Sequence, residues 1–274
     1  MDKGKKEFLA DKAKRIRYLT MDEIGHLGIG HVGGCLSVAD VLAVLYFDAM
    51  NIDPKNPQAE DRDRLVLSKG HAGPALYAAL AERGYFDISW LHTLNQPCTS
   101  LPSHCDMLRT PGVDMTAGSL GQGISCAVGM AKAGKVFKKD YTVYCIVGDG
   151  ESQEGQVWEA SMAASHLKLD NLILFLDYNK MQIDGMVEDI NTLESPVSRW
   201  KAFGYFVQEV DGHDVESVAN AIQLAKQQKG LPKMIVLNTV KGKGVSFVEQ
   251  AGPANHNMTI SSEQLEQAFR ELAE

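Results

Sequence analysis

Hydrophobic residues along the chain follow two periodicities, which predict helices first and then alternating strands and helices. Between residues 5 and 25, apolar side chains recur at three- and four-residue steps, as on one face of a helix. Further early helices are predicted at 37–50, with Ser37 as N-cap, and at 72–83 and 124–133. Short apolar and β-branched runs predict strands at 141–147, 172–177, 205–210 and 234–239. The later helical patterns lie at 153–167, 196–203, 215–228 and 262–272.

This alternation of strands and helices is typical of a doubly wound α/β fold, in which helices cover both faces of a mostly parallel sheet. The chain has 274 residues and contains no internal repeat, low-complexity tract or Pro/Gly/Ser-rich linker that would divide it. We therefore expect a single domain over residues 1–274. Ligands of such sheets bind beyond the carboxyl ends of the strands, so a site is expected at that edge.

Charge and hydropathy exclude two classes of partner. A formal net charge of -8 does not suit a surface that neutralises nucleic-acid phosphates or binds anionic lipid. The sequence contains no apolar run long enough to span a membrane, and no secretory signal follows its N-terminal lysines. We expect a cytoplasmic protein whose partners are small molecules or other proteins, with no nucleic acid and no membrane.

The sharpest chemical signal is Gly148-Asp149-Gly150, which lies between a predicted strand and a predicted helix. Asn179 follows the next predicted strand, so the two side chains should meet at one edge of the sheet. Together with the main-chain carbonyl of Met181, they supply the oxygen ligands that Mg²⁺ prefers. The two glycines let the main chain approach a phosphate. A lone Gly-Asp-Gly is more often a tight turn, but its context here predicts a site for Mg²⁺ and a diphosphate.

At this point the chain resembles the thiamine-diphosphate enzymes, whose signature is Gly-Asp-Gly followed about thirty residues later by Asn. A longer series of motifs resembles the N-terminal domain of transketolases, in the same order and over essentially the whole chain. These motifs are GHVG at 30–33, DRLVLSKGH at 63–71, GVD at 112–114, GSLGQG at 118–123 and KGKG at 241–244, followed by His256.

The resemblance implies thiamine diphosphate and Mg²⁺ as cofactors, with Ca²⁺ or Mn²⁺ able to replace Mg²⁺. It places the metal on Asp149, Asn179 and Met181. It assigns cofactor binding to His71, Gly118, Ser119, Leu120, Gly150, Ile183, Lys241 and His256. It assigns contact with the substrate and proton transfer to His31, His71, His104 and His256. Imidazole suits that task because its unperturbed pKa is about 6.5.

The implied activity is the transfer of a two-carbon ketol unit from a ketose phosphate to an aldose phosphate. Transketolases also carry a pyrimidine-binding domain and a C-terminal domain, and this sequence stops at Glu274 without them. We expect a partner chain to supply both domains in an α2β2 heterotetramer, with Glu154 and Glu159 in a carboxylate network at the subunit interface. This chain alone should be inactive, because the glutamate that activates the cofactor belongs to the missing domain.

Several alternatives stay open at this stage. The α-subunit of a 2-oxo acid dehydrogenase shares the cofactor site, but KGKG and the histidine set favour a transketolase. A transketolase for an unusual sugar phosphate fits two departures from the family pattern: Cys105 follows His104 in place of proline, and Asn257-Met258 follows His256. A non-catalytic cofactor-binding protein is a further possibility. Dinucleotide binding is disfavoured, because Gly28-Ile29-Gly30 follows no predicted strand.

Overall fold

The computed structural model of the protein describes residues 1–273. Its strands are β1 (Ile29–Gly30), β2 (Arg64–Leu67), β3 (Val143–Gly148), β4 (Leu172–Tyr178), β5 (Phe206–Asp211), β6 (Lys233–Asn238) and β7 (Met258–Thr259). Five of them form a parallel sheet in the order β2-β3-β4-β6-β5, while β1 and β7 form a short antiparallel pair. The carboxyl ends of β2, β3, β4 and β6 therefore lie side by side.

Helices surround this sheet. They are α1 (Lys3–Leu27), α2 (Gly33–Leu36), α3 (Ala39–Val44), α4 (Gly73–Arg83), α5 (Gln122–Val136), α6 (Gly155–His166), α7 (Val187–Asn191), α8 (Pro196–Ala202), α9 (Val215–Gln227), α10 (Ser246–Gln250) and α11 (Ser262–Ala273). The long α1 begins where the Asp2 side chain accepts from the amide of Lys5, and ends at Gly28, whose φ of 84° is left-handed. Within residues 1–273, no helix is long and apolar enough to cross a membrane.

Two apolar cores lie on opposite faces of the sheet. Along β3, Tyr144 and Ile146 face the core formed with α1, α3, α4 and α9. The alternate residues Val143, Cys145 and Val147 face the core formed with α5, α6 and α8. A strand buried on both faces needs a nearly continuous apolar run, which is the pattern that the sequence shows. The predicted doubly wound α/β fold is therefore confirmed.

Several short elements differ from the predictions, and two of these differences concern residues around the sheet edge. The edge strand β2 was not predicted, because its four residues are too short a run to stand out beside the motif that contains them. The helix predicted from Ser37 begins two residues later and continues as a π-helical turn at Leu45–Ala49. Ser37 does not cap that helix, since its hydroxyl donates to Asp177 Oδ2 at 2.7 Å.

A buried carboxyl group on α1 works against stability. Glu23 is 0% exposed, and among the described residues neither of its carboxylate oxygens has a hydrogen-bond partner. Burial, assisted by the charge of Asp22, raises the pKa of Glu23 well above its usual value. A group that stays protonated when folded and ionises when unfolded makes folding weaker as the pH rises.

Replacing Glu23 with leucine is expected to increase the free energy of unfolding at pH 7 by about 1–4 kcal/mol. In the unmodified protein, Glu23 should lower stability by about 1.4 kcal/mol for each pH unit above about 4.3, until its folded pKa is reached. Urea titrations between pH 5 and 8 measure both effects. The exposed Glu7 on the same helix supplies the control variant Glu7→Leu, which should leave the pH slope unchanged. This prediction would be contradicted if the free energy of unfolding depended on pH equally steeply in Glu23→Leu and in the unmodified protein.

Candidate active site

A cavity of about 330 Å³ opens at the carboxyl edge of the parallel sheet. Four lining residues follow four neighbouring strands: Lys69 after β2, Asp149 after β3, Asn179 after β4 and Lys241 after β6. Parallel strands bring their carboxyl ends to one edge, which is why residues far apart in sequence meet there. The site predicted at this edge coincides with the cavity.

Asp149 and Asn179 present oxygen atoms held by main-chain donors. Asp149 is 2% exposed, and its two carboxylate oxygens accept from the amides of Gly150 at 2.7 Å and Lys180 at 2.5 Å. Asn179 donates its amide nitrogen to Asp177 at 2.9 Å, and its oxygen accepts from the amide of Met181 at 3.1 Å. Burial, and next the charge of Asp177, raises the pKa of Asp149 to about 7. A cation bound to Asp149 would reverse that penalty.

The available ligands limit the kind of metal that this cavity could hold. Within residues 1–273, no group of three or more His, Cys, Asp or Glu side chains is arranged to hold a metal ion. A metal here has to combine one carboxylate with neutral oxygens and with oxygens of a bound ligand. Mg²⁺ is commonly held in this way, by one or two protein groups and by phosphate oxygens. The residues present therefore fit a Mg²⁺-diphosphate.

A buried ion pair that was not predicted from the sequence lies at the cavity, since one of its members, Lys69, is a lining residue. Lys69 and Asp177 are 1% and 0% exposed, and the Lys69 ammonium donates to Asp177 Oδ2 at 2.6 Å and to the Gly34 carbonyl at 2.9 Å. Asp177 also accepts from Ser37, Asn179 and Thr239. Burial alone would raise the pKa of Asp177, but the Lys69 charge and these donors hold it below its usual value. The pair fixes the side-chain amide of Asn179.

Glu151 joins the glycine-rich segment before α5 to the Gly-Asp-Gly turn. It is buried, and its carboxylate accepts from the amides of Gly121 and Gly148, each at 2.9 Å, and from the Ser68 hydroxyl. The segment packs so closely that a Cβ on Gly123 would lie 2.6 Å from Ser68 Cα. Glu151 was not predicted as a site residue, although its position directly after Gly150 was a usable signal.

Four imidazole rings gather on one side of the cavity. The ring centroid of His31 lies 5.6 Å from His71, 5.6 Å from His104 and 5.4 Å from His256. The rings of His71 and His256 are 4.9 Å apart. These histidines come from four separate segments of the chain. The structure therefore brings together the set that the sequence analysis singled out.

Burial and nearby positive charge keep three of these histidines neutral at pH 7. Burial, followed by the Lys241 charge, lowers the pKa of His256 to about 3. Burial and Lys69 lower the pKa of His71 well below its usual value, and burial and His104 lower that of His31. Burial and Lys69 also lower the pKa of Lys241 to about 8, and its ammonium lies 3.3 Å from His256 Nδ1. The cavity thus combines a lysine cation with three neutral imidazoles, each of which has one unprotonated ring nitrogen that can accept a hydrogen bond.

Six of the other predicted site residues line the cavity, and two do not. Those that line it are Gly118, Leu120, Gly150, Glu154, Met181 and Ile183. Ile183 is 64% exposed, and Glu154 is exposed at the N-cap of α6 without a side-chain capping bond. Ser119 and Glu159 are exposed and are not among the lining residues.

Comparison with known proteins finds similarity over almost the entire chain. A family model described as transketolase, thiamine diphosphate binding domain, matches residues 9–272. The chain is 58% identical to a 6-deoxy-6-sulfo-D-fructose transketolase subunit of Clostridium sp. (strain MSTE9), over 96% of each chain. It is 40% identical to one subunit of the apulose-4-phosphate transketolase of Phocaeicola vulgatus, over 89% of this chain and 86% of that protein.

A solved transketolase from Leishmania mexicana has the same fold as this chain. The TM-score is 0.91 at 34% sequence identity, and the match covers 97% of this chain and 41% of the Leishmania chain. This chain therefore corresponds in length to the two bacterial subunits, and to about two fifths of the Leishmania enzyme.

Proposed function

The chain belongs to the transketolase family, and from this premise we propose that it is the diphosphate-binding subunit of a two-chain, thiamine-diphosphate-dependent transketolase. The observation that carries the proposal is the convergence of Asp149, Asn179, Lys241 and the four histidines on one cavity at the sheet edge. The reaction is the transfer of a two-carbon ketol unit from a ketose to an aldose. The enzyme is cytoplasmic.

The residues at the carboxyl edge of the sheet would hold the diphosphate of the cofactor. Asp149, Asn179 and the Met181 carbonyl hold Mg²⁺, and the nearby glycine Gly150 lets the main chain approach the diphosphate. Lys241, His71 and His256 would contact the diphosphate oxygens. Gly118, Leu120 and Ile183 line the cavity and would contact the thiazolium ring, whereas the neighbouring Ser119 lies outside the lining. When bound, thiamine diphosphate supplies the acyl-anion chemistry that side chains lack.

The histidines bind the substrate and move its protons. Cleavage of a ketose between its second and third carbons requires the C3 hydroxyl to lose a proton. A neutral imidazole accepts that proton and returns it to the carbonyl oxygen of the incoming aldose, which thereby becomes a hydroxyl. His31 and His104 are suited to this task, because both line the cavity and their rings lie beside each other. They also hydrogen-bond the sugar hydroxyls.

A partner chain completes the enzyme in an α2β2 heterotetramer. The proposal is supported by the two bacterial relatives, which are themselves named as subunits, and by the match to about two fifths of the Leishmania chain. The partner supplies the pyrimidine-binding and C-terminal domains. The exposed carboxylates Glu154 and Glu159 face that partner or a second copy of this chain.

A second candidate concerns the donor sugar. The 58% identity to a subunit named for 6-deoxy-6-sulfo-D-fructose exceeds the 40% identity to one named for apulose 4-phosphate. This difference favours a donor whose terminal anionic group is a sulfonate rather than a phosphate. A sulfonate is a fully ionised anion, so the enzyme has to recognise it through positively charged and hydrogen-bonding groups.

Ketol transfer is expected only when this chain is combined with its partner. The measurement is aldose consumption with thiamine diphosphate and Mg²⁺, using this chain alone, the partner alone and the co-purified complex. Fructose 6-phosphate and 6-deoxy-6-sulfo-D-fructose serve as parallel donors, and the sulfonate donor should give the higher kcat/KM. Turnover by this chain alone would refute the two-chain proposal. Activity with pyruvate instead of either sugar would identify a 2-oxo acid dehydrogenase, and cofactor binding without any turnover would indicate a binding protein.

A further inference from the structure

A buried cluster of Arg17, Asp40 and His213 lies next to the loop that carries Lys241. The Arg17 guanidinium donates to both carboxylate oxygens of Asp40 and to the Leu36 carbonyl. His213 Nδ1 lies 2.7 Å from Asp40 Oδ2. The opposite ring nitrogen of His213, Nε2, accepts from the main-chain amide of Val240 at 2.8 Å. The cluster therefore connects α1, α3 and the turn before α9 to the residue next to Lys241.

The hydrogen bonds determine which nitrogen of His213 carries the proton. A main-chain amide can only donate, so Nε2 has to be unprotonated when it accepts from Val240. Nδ1 then carries the hydrogen and donates to Asp40. Burial alone would raise the pKa of Asp40, but Arg17 and His213 hold it below its usual value, which keeps it an acceptor. Carboxylate–histidine pairs orient a ring in the same way at metal sites.

This acceptor matters because it holds the main chain of the residue directly before Lys241. Val240 is 42% exposed, so the packing of its side chain contributes little to holding the loop. On the other side of Lys241, the Gly242 amide donates to the Gly33 carbonyl at 3.0 Å, and the Lys241 carbonyl accepts from Asn255 at 3.2 Å. On the strand side, Thr239 donates its hydroxyl to Asp177 and its amide to the Tyr178 carbonyl, and His213 holds the amide of Val240, which lies between Thr239 and Lys241.

We propose that His213 is a positioning residue: it holds the Val240 main chain so that the Lys241 ammonium stays in the cavity, where it binds the cofactor's diphosphate. The inference rests on the proposed function. His213 does not line the cavity, and it acts on the cofactor only through the loop. Asp40 and Arg17 fix the ring for this purpose.

Two substitutions separate the two hydrogen bonds of His213. In His213→Asn the side chain ends near the former Nδ1 position, so it can reach Asp40 but not Val240. In His213→Gln the longer side chain presents an amide oxygen near the former Nε2 position and can still accept from Val240. We expect the dissociation constant of thiamine diphosphate to rise about ten-fold in His213→Asn and less than about two-fold in His213→Gln.

The experiment uses the complex of this chain with its partner. Calorimetric titration with thiamine diphosphate in the presence of Mg²⁺ gives the affinity, and hydrogen exchange of residues 239–244 reports the Val240 amide without any cofactor. The loop should exchange faster in His213→Asn than in His213→Gln or the unmodified protein. The exposed His166 provides the control variant His166→Asn, which should change neither measurement.

Three results would overturn the inference. Equal affinities in the Asn and Gln variants would show that the acceptor at Val240 does not matter. A Val240 amide that exchanges freely with solvent in the unmodified protein would also show that the His213 acceptor does not hold the loop, even if a variant failed to fold. Thiamine diphosphate that binds neither the unmodified complex nor any variant would instead refute the proposed function, and this inference with it.

Discussion

Asp149→Asn is expected to abolish the binding of thiamine diphosphate with Mg²⁺ and to lower ketol transfer by roughly 10³-fold, because the metal loses its carboxylate ligand in this chain. The change keeps the size of the side chain but removes its charge. It also places an amide group opposite the main-chain donors of Gly150 and Lys180. Both effects act against the cation.

The measurement is calorimetric titration of the complex, followed by an activity assay at one cofactor concentration that saturates the unmodified protein. In the unmodified protein, binding should also weaken as the pH falls below about 7, since the pKa of Asp149 is raised to about 7 and a proton then competes with the metal. The exposed Asp189 gives the control variant Asp189→Asn, which should bind normally. Normal binding by Asp149→Asn would show that the metal lies elsewhere.

Lys69→Met should lower the free energy of unfolding by about 3–5 kcal/mol, because it leaves the buried Asp177 without its counterion. The sign of the pH dependence follows from Asp177. Its pKa is held low in the folded protein, so its contribution is present at neutral pH and is lost as the pH falls through about 3.9 and below. In Lys69→Met that contribution disappears, and stability should depend less steeply on pH in acid.

A double-mutant cycle tests whether the pair is the cause. We expect Asp177→Asn to be destabilising as well, and the double variant Lys69→Met/Asp177→Asn to lose less stability than the sum of the single variants. Urea titrations of all four proteins provide the values. Additive effects would mean that Lys69 and Asp177 contribute through separate contacts. The exposed Lys132 provides the control variant Lys132→Met, which should be nearly neutral.

The parts of the site that could be predicted from the sequence are those marked by a short, local sequence pattern. Gly148-Asp149-Gly150 and Asn179 each follow a recognisable strand, and the geometry of parallel sheets places strand ends together. The doubly wound fold was predicted from the alternation of strands and helices along the chain. The histidines were identified through family resemblance, and their proximity to one another required the structure.

The parts that were missed depend on contacts between distant segments. Lys69 and Asp177 are 108 positions apart, and nothing near either residue indicates that the other is its partner. Ser37 looked like a helix N-cap because serine is common there, but its donation to Asp177 decided its conformation. The strand β2 has only four residues and derives its stability from pairing with β3 rather than from its own pattern.

The cavity takes its walls from the ends of β2, β3, β4 and β6 and from further segments, which together are spread between His31 and His256. No fragment of the chain that lacks one of these strands contains the full set of contacts. Pairings over such sequence distances form slowly during folding, since much chain entropy is lost before they are made. A ligand that needs all four strand ends will therefore bind only completely folded molecules, and by mass action it will draw newly made chains toward that state.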